Sequence, residues 1–346
     1  MNKYPVKINY SITKWAKYFF DAIKLIFSGH TIFIVYNFPL ILSFLKKGIF
    51  YIILSGLSFL VVNFFVKLFG IGPTNTVIPG LQKIPAHELV LARSIISFSI
   101  SSAVIVHRGL PFFGNNKKWL TIRGISGMMA LTIFFQSIQH MPIAVASTVQ
   151  YLAPIFTMIF ALFILRERIL KIQWLFVLIA FSGVFLIGFN NLFQTKTTIY
   201  LDPFWLGFGV LSAAFSGIAY VAIVKLKETD KPINIVSYFP MLAIPVMSIW
   251  CLFDFVMPSG IEWLILLIIG ICTQIAQISL TRALHFESSS LIMPFQYLGS
   301  VYALLVGYLI LDERLNIIVI TGVFVILLGV ILNTIAKSRK KVSDLN

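Results

Sequence analysis

Residues 150–168 read QYLAPIFTMIFALFILRER, and residues 296–314 read QYLGSVYALLVGYLILDER. At an offset of 146 residues, Gln150-Tyr151-Leu152 falls on Gln296-Tyr297-Leu298. Ile164-Leu165 and Glu167-Arg168 then fall on Ile310-Leu311 and Glu313-Arg314. Farther on, Gly183-Val184 and Leu186 meet Gly329-Val330 and Leu332, while His140 and His285 lie one residue out of step. Apolar residues coincide by chance in any two hydrophobic helices. Gln, Tyr, Glu, Arg and Gly in step do not, so the chain carries an internal repeat.

Outward from these copies the sequence breaks into ten apolar runs: 48–69, 86–106, 119–139, 142–165, 170–190, 203–224, 233–253, 261–282, 288–310 and 315–336. Each approaches the roughly 20 residues that a helix needs to cross a bilayer core. Short polar punctuation separates them, such as Gly72-Pro73-Thr74-Asn75 and Lys227 to Pro232. Hydrophobic residues make up 59% of the 346 and charged residues 11%, against roughly a quarter charged in soluble domains. Polar groups are too few to cover a water-facing surface, so lipid is the solvent. The repeat divides the spans into sets of five, 48–190 and 200–336. Because five is odd, the second set enters the membrane upside down. The expected fold is an all-α integral membrane protein of ten transmembrane helices, built as two inverted five-helix repeats. Many secondary transporters share this plan and hold solute near the midplane between halves.

The formal net charge of +15 does not imply a nucleic-acid partner, because no basic face forms on a soluble domain. Lys and Arg cluster instead in alternate loops: Arg108, Lys117 and Lys118; Arg166, Arg168 and Lys171; Lys225, Lys227 and Lys231; and the tail 337–346 with Lys337, Arg339, Lys340 and Lys341. Lys83, Lys196 and Arg314 are the main exceptions on the other side. The positive-inside rule then places both termini in the cytoplasm of a bacterial inner membrane. Residues 1–47 carry Lys3, Lys7, Lys14, Lys17 and Lys24 before a short apolar stretch, 31–45, interrupted by Asn37 and Pro39. A basic interfacial helix fits this composition better than an eleventh span. Cys251 and Cys272 lie inside apolar runs without metal-ligand spacing and read as small hydrophobes.

Arg123-Gly124 opening the third span, Pro154 within the fourth, and Arg166-Glu167-Arg168 closing it, with Asp312-Glu313-Arg314 in the second copy, resemble the drug/metabolite transporter superfamily with two EamA-type domains. The resemblance covers about residues 48–336. It implies ten helices around a central cavity lined by both halves. At the position matching Pro154 the second half has Ser300, with a proline at Pro294 instead, so the halves need not bend alike.

Polar side chains within the apolar runs are the candidate substrate contacts. Gln150 and Tyr151 recur as Gln296 and Tyr297. Gln provides two donors and an acceptor, and Tyr a ring with a hydroxyl, a set suited to zwitterionic or heterocyclic solutes. Pro154 and Pro294 each remove a helical hydrogen bond and free a carbonyl four residues back. Gln136 and Gln139, with His140, share one face of the third span, and Gln274 and Gln277 share one face of the eighth. Arg93 sits about 10 Å into the second span, where it either contacts solute or snorkels. Arg123 and Arg282, nearer the span ends, are expected to snorkel. Asn63 is a further candidate in the first span. For the glutamines the competing role is structural glue between helices.

No acid lies at a midplane. Glu88, Asp254, Glu262 and Glu287 stand at span ends, and Glu167, Asp202, Asp312 and Glu313 in loops or borders. Arginine without a counter-charge disfavours a cationic solute. The sequence therefore predicts an exchanger or facilitator for zwitterionic or anionic metabolites, such as amino acids, nucleotide-like solutes or S-adenosylmethionine. No cofactor or metal is expected. The expected partners are the solute and the lipid bilayer, with the chain a monomer or homodimer. Alternatives are a proton-coupled exporter, an integral membrane enzyme, a channel or a non-transporting assembly protein. The dispersed histidines at 30, 87, 107, 140 and 285 form no recognisable catalytic spacing.

Overall fold

Helix is the only structure that lets a lone chain segment satisfy every backbone N–H and C=O in lipid, and helices are what the apolar runs form. The computed structural model describes residues 47–164, 166, 171–188, 202–226, 229–286 and 295–343. Among the described residues the helices are α1 (Lys47–Ile71), α2 (Ala86–His107), α3 (Lys117–His140), α4 (Ile143–Gln150), α5 (Ala153–Ile164) and α6 (Lys171–Gly188). The second half supplies α7 (Pro203–Leu226), α8 (Pro232–Cys251), α9 (Ile261–Phe286), α10 (Leu298–Leu309) and α11 (Ile317–Ser343). With α4 and α5 counted as one broken span, these make ten. The stretch 31–45 and Pro294 lie outside the described residues.

Seven of these spans are long and apolar enough to cross a membrane on length and composition alone. Helices α6 and α10 are shorter, and α3 is the least apolar of all. The protein is a multi-pass membrane protein. Helix α3 tolerates its polar residues because it is surrounded by protein: it packs on α7 and α8 and also meets α1, α2 and α4.

The helix contacts exchange under a shift of five spans. The pairing α3·α7 is mirrored by α9·α1, α3·α8 by α9·α2, and α5·α7 by α10·α1, while α2·α8 and α6·α11 map onto themselves. The 146-residue offset therefore governs far more of the chain than the matching stretches. A side chain at Gly124 would strike Leu242, and one at Gly270 would strike Ile96. Likewise Gly183 abuts Gly322 and Ile326, and Gly329 abuts Phe176 and Ala180. Each contact becomes the other when 146 is added or subtracted. Even the backbone repeats its less favoured conformation: Arg166 and Asp312 both take a left-handed φ, of 56° and 49°, as residues just past a helix end commonly do.

The fourth span is broken rather than kinked. Helix α4 stops at Gln150, Tyr151 and Leu152 form a tightened turn, and α5 starts at Ala153. Pro154 is thus the second residue of a new helix, where its missing N–H is one that helix starts leave unpaired anyway. Tyr297, the repeat partner of Tyr151, also sits in a turn, immediately before α10.

Candidate functional site

The two broken positions meet. The rings of Tyr151 and Tyr297 stand edge to face with centroids 5.5 Å apart, and the Tyr151 hydroxyl lies against Gly299, where a side chain would otherwise stand. Tyr297 is buried and its hydroxyl bonds Thr334 Oγ1 at 2.9 Å. Gln296 is half-buried and hydrogen-bonds the hydroxyl of Tyr220, on α7.

Gln150 behaves differently from its repeat partner. Its amide donates to Ser216 Oγ at 2.8 Å and accepts from Ser212 Oγ at 2.9 Å. Both ends of the group are taken, so Gln150 joins α4 to α7. The residues 146 earlier than Ser212 and Ser216 are Val66 and Gly70, which offer no side-chain partner. This is why Gln296 turns to Tyr220 instead. Gln274 is also a packing residue: it accepts from Ser97 Oγ at 2.5 Å and donates to Ser101 Oγ at 3.0 Å, tying α9 to α2. Gln277 is half-buried farther along α9, and Asn63 is half-buried on α1.

The arginines are the main revision to the sequence expectation. Arg93 does not snorkel; it is 2% exposed, with its guanidinium 5.1 Å from the ring centre of Phe239 and 5.9 Å from that of Phe135. Arg123, expected at an interface, is 8% exposed. Its terminal nitrogen fills the space that a side chain at Gly127 would take, beside Phe239. The Nε atoms of both arginines lack a hydrogen-bond partner. Both guanidiniums border the Phe239 ring, and among the described residues neither has an ion-pair partner. Arg282 does stay exposed, over the ring of Tyr51.

Buried cations in a shell of helices that exchange under a five-span shift fit the plan of an inverted-repeat carrier. The sequence matches the EamA-like transporter family twice, over residues 46–189 and 203–335. The chain belongs to the EamA-like transporter family. The pseudopaline exporter of Pseudomonas aeruginosa is 29% identical to it over 308 residues, spanning 87% of this chain and 99% of its own. Solute carrier family 35 member G1 of Mus musculus is 24% identical across 74% of this chain and 69% of its own. One solved structure, 18% identical, shares the fold with a TM-score of 0.53 over 84% of this chain and 98% of its own. Family membership makes the chain a membrane transporter and not an enzyme.

Like the halves, the two ends of this EamA-like transporter correspond. At the end with the basic loops, Asp230 accepts the backbone N–H groups of Asn115 at 2.5 Å and Asn116 at 3.1 Å. Asn234 donates there to the carbonyl of Pro111 at 2.6 Å, and the Tyr238 hydroxyl to that of Phe113 at 2.7 Å. At the opposite end Glu262 accepts from Gln82 N at 2.6 Å, and Glu88 accepts from Val256 N at 3.0 Å. Asn234 and Glu88 are 146 residues apart. The same position thus fastens a loop of the other half at each end, once as donor and once as acceptor.

A cavity of about 430 Å³ opens at this second end, lined by Lys83, Gln136, Gln139, His140, Trp205 and Trp250 among others. His140 stacks on Trp205 at 3.7 Å, and Gln139 donates to the Ile84 carbonyl at 2.9 Å. Gln136, Gln139 and His140 therefore form part of a vestibule wall. Nearby, Glu313 accepts from Ile143 N at 2.9 Å and pairs with Lys67 at 3.6 Å. Burial pushes the Glu313 carboxyl above its ordinary value, against the opposing pull of Lys67 and the Ile143 N–H. Among the described residues no three His, Cys, Asp or Glu gather as a metal site.

Proposed function

We propose that this transporter carries small anionic or zwitterionic metabolites by alternating access, as an exchanger or facilitator, across a bacterial inner membrane with its basic end in the cytoplasm. The observation that carries this reading is the pair Arg93 and Arg123, buried and without a carboxylate partner among the described residues. A buried charge is retained only against a strong penalty unless something pairs with it, and a negatively charged group on the solute fills that role. Gln296, Tyr220, Tyr151 and Tyr297 supply the polar and aromatic wall beside it. The relative named as a pseudopaline exporter supports a small-molecule cargo. The vestibule and the fastened loops at the two ends supply an entry and two closures, and the protein works as a monomer or homodimer.

The test is counterflow in liposomes. Labelled amino acids, nucleotides, S-adenosylmethionine and quaternary amines are offered to vesicles preloaded with unlabelled solute. Uptake of an anionic or zwitterionic member, accelerated by preloading and indifferent to a proton gradient, is the expected result. A second reading, proton-coupled export, rests on half-buried Glu313 with its raised affinity for a proton. It requires transport that follows the gradient and is uncoupled by Glu313→Gln.

A further inference from the structure

The central site narrows the solute class, an inference that rests on the transport reading above. We infer that the preferred solute carries two acidic groups, one held by Arg93 and the other by Arg123. The first step is the environment of Arg93. With Phe135 and Phe239 rings within 6 Å of its guanidinium, the planar cation is already engaged by aromatic partners, while its Nε–H is unpaired. Donors along a guanidinium edge suit a carboxylate approaching in the guanidinium plane and accepting two parallel bonds.

The second step is charge. Arg123 also borders Phe239, with its own Nε unpaired. A monoanion satisfies one guanidinium and leaves the other buried and uncompensated. A zwitterion adds an ammonium that repels both. Among the described residues no carboxylate acts on either arginine to receive it. A solute with two negative groups neutralises the pair. Both guanidiniums border Phe239, so two acidic groups on a short skeleton can reach them together.

The third step is the origin of the asymmetry. The residue 146 after Arg93 is Phe239, and the one 146 after Arg123 is Ile269. Both cations come from the first half, and no charge of either sign answers them at the equivalent positions of the second.

The test uses the full chain in liposomes and solute pairs matched in size but differing by one negative charge: succinate with butyrate, glutarate with valerate, and phthalate with benzoate. The dianion of each pair should exchange at least tenfold faster. Arg123→Gln and Arg93→Gln should each lower or reverse that preference, while Arg123→Lys retains it. A melting temperature measured for each empty protein separates misfolding from lost recognition. Arg123→Gln should melt no lower than the parent, since it removes an unpaired buried charge. Equal exchange within every pair, with preference unmoved by Arg123→Gln, overturns the two-acid inference and leaves a carrier of anions standing. Uptake of cations alone, or none across the panel, overturns both.

Discussion

The two halves share a backbone plan but not a chemistry. Gly124 and Gly270, Gly183 and Gly329, and the left-handed Arg166 and Asp312 keep their partners and geometry across 146 residues. Arg93 and Arg123 do not, for Phe239 and Ile269 stand in their places. Gln150 is held by two serines, whereas Val66 and Gly70 stand at the positions matching those serines and Gln296 bonds Tyr220. Positions where backbones touch leave little choice of residue, because interiors are close-packed. Positions where no backbone is touched are free to differ between halves, as Arg93 and Arg123 do.

The sharpest way to break this comparison is at the shared contacts. Gly183→Ala places a methyl group about 2.6 Å from the Gly322 carbonyl oxygen, and Gly329→Ala places one at about 2.6 Å from the Ala180 nitrogen. Backbone cannot swing aside, so each change should cost about 2–3 kcal/mol, read as a lowered melting temperature in detergent. The two losses should agree within about 1 kcal/mol if the repeat holds. Gly56→Ala, which meets nothing, should be neutral or stabilising by up to roughly 1 kcal/mol.

The glutamine pair sharpens the other side. Gln150→Ala strips Ser216 of its partner and should cost about 1 kcal/mol, within the range of interhelical hydrogen bonds in membranes. Gln296→Ala should cost less stability but slow exchange several-fold. An equal stability loss from both, with transport untouched, would make Gln296 a packing residue too. The smallest effect belongs to the left-handed pair. Asp312→Gly should stabilise by roughly 0.5–1 kcal/mol through relief of an unfavourable φ, because the ion pair it loses to Arg314 is solvent-exposed and worth little.

Spans and repeat were legible because lipid leaves the backbone no alternative to helix, and because Gln, Tyr, Glu and Arg in step cannot arise from hydrophobicity alone. Tyr151 and Tyr297 stood out for the same reason. Arg123 was not, and the cause is instructive. Its depth from the span end matched that of a snorkelling residue, but depth says nothing of which neighbours surround a helix. Helix α3 is wrapped by α7, α8, α1, α2 and α4, and the run of letters 119–139 does not show this. Tyr220 was hidden likewise, in a span whose other polar residues are two serines, Ser212 and Ser216. Gln274 looked like a cavity wall because its serine partners, Ser97 and Ser101, lie on a different helix and far away in sequence.

The most extensive helix contacts all join one half to the other: α3 to α7, α6 to α11, α9 to α1 and α8 to α2. During synthesis this sets a waiting time. Arg93 enters the membrane long before Phe239 is made, and at 5–20 residues per second those 146 residues take roughly 7–30 s. Throughout that interval the nascent first half holds two arginines without the ring that will lie against them, and α3 without the helices that will enclose it. The unfinished protein is therefore a far more polar object than the finished one, and its insertion depends on lipid, water or the insertion machinery tolerating those charges until the second half arrives.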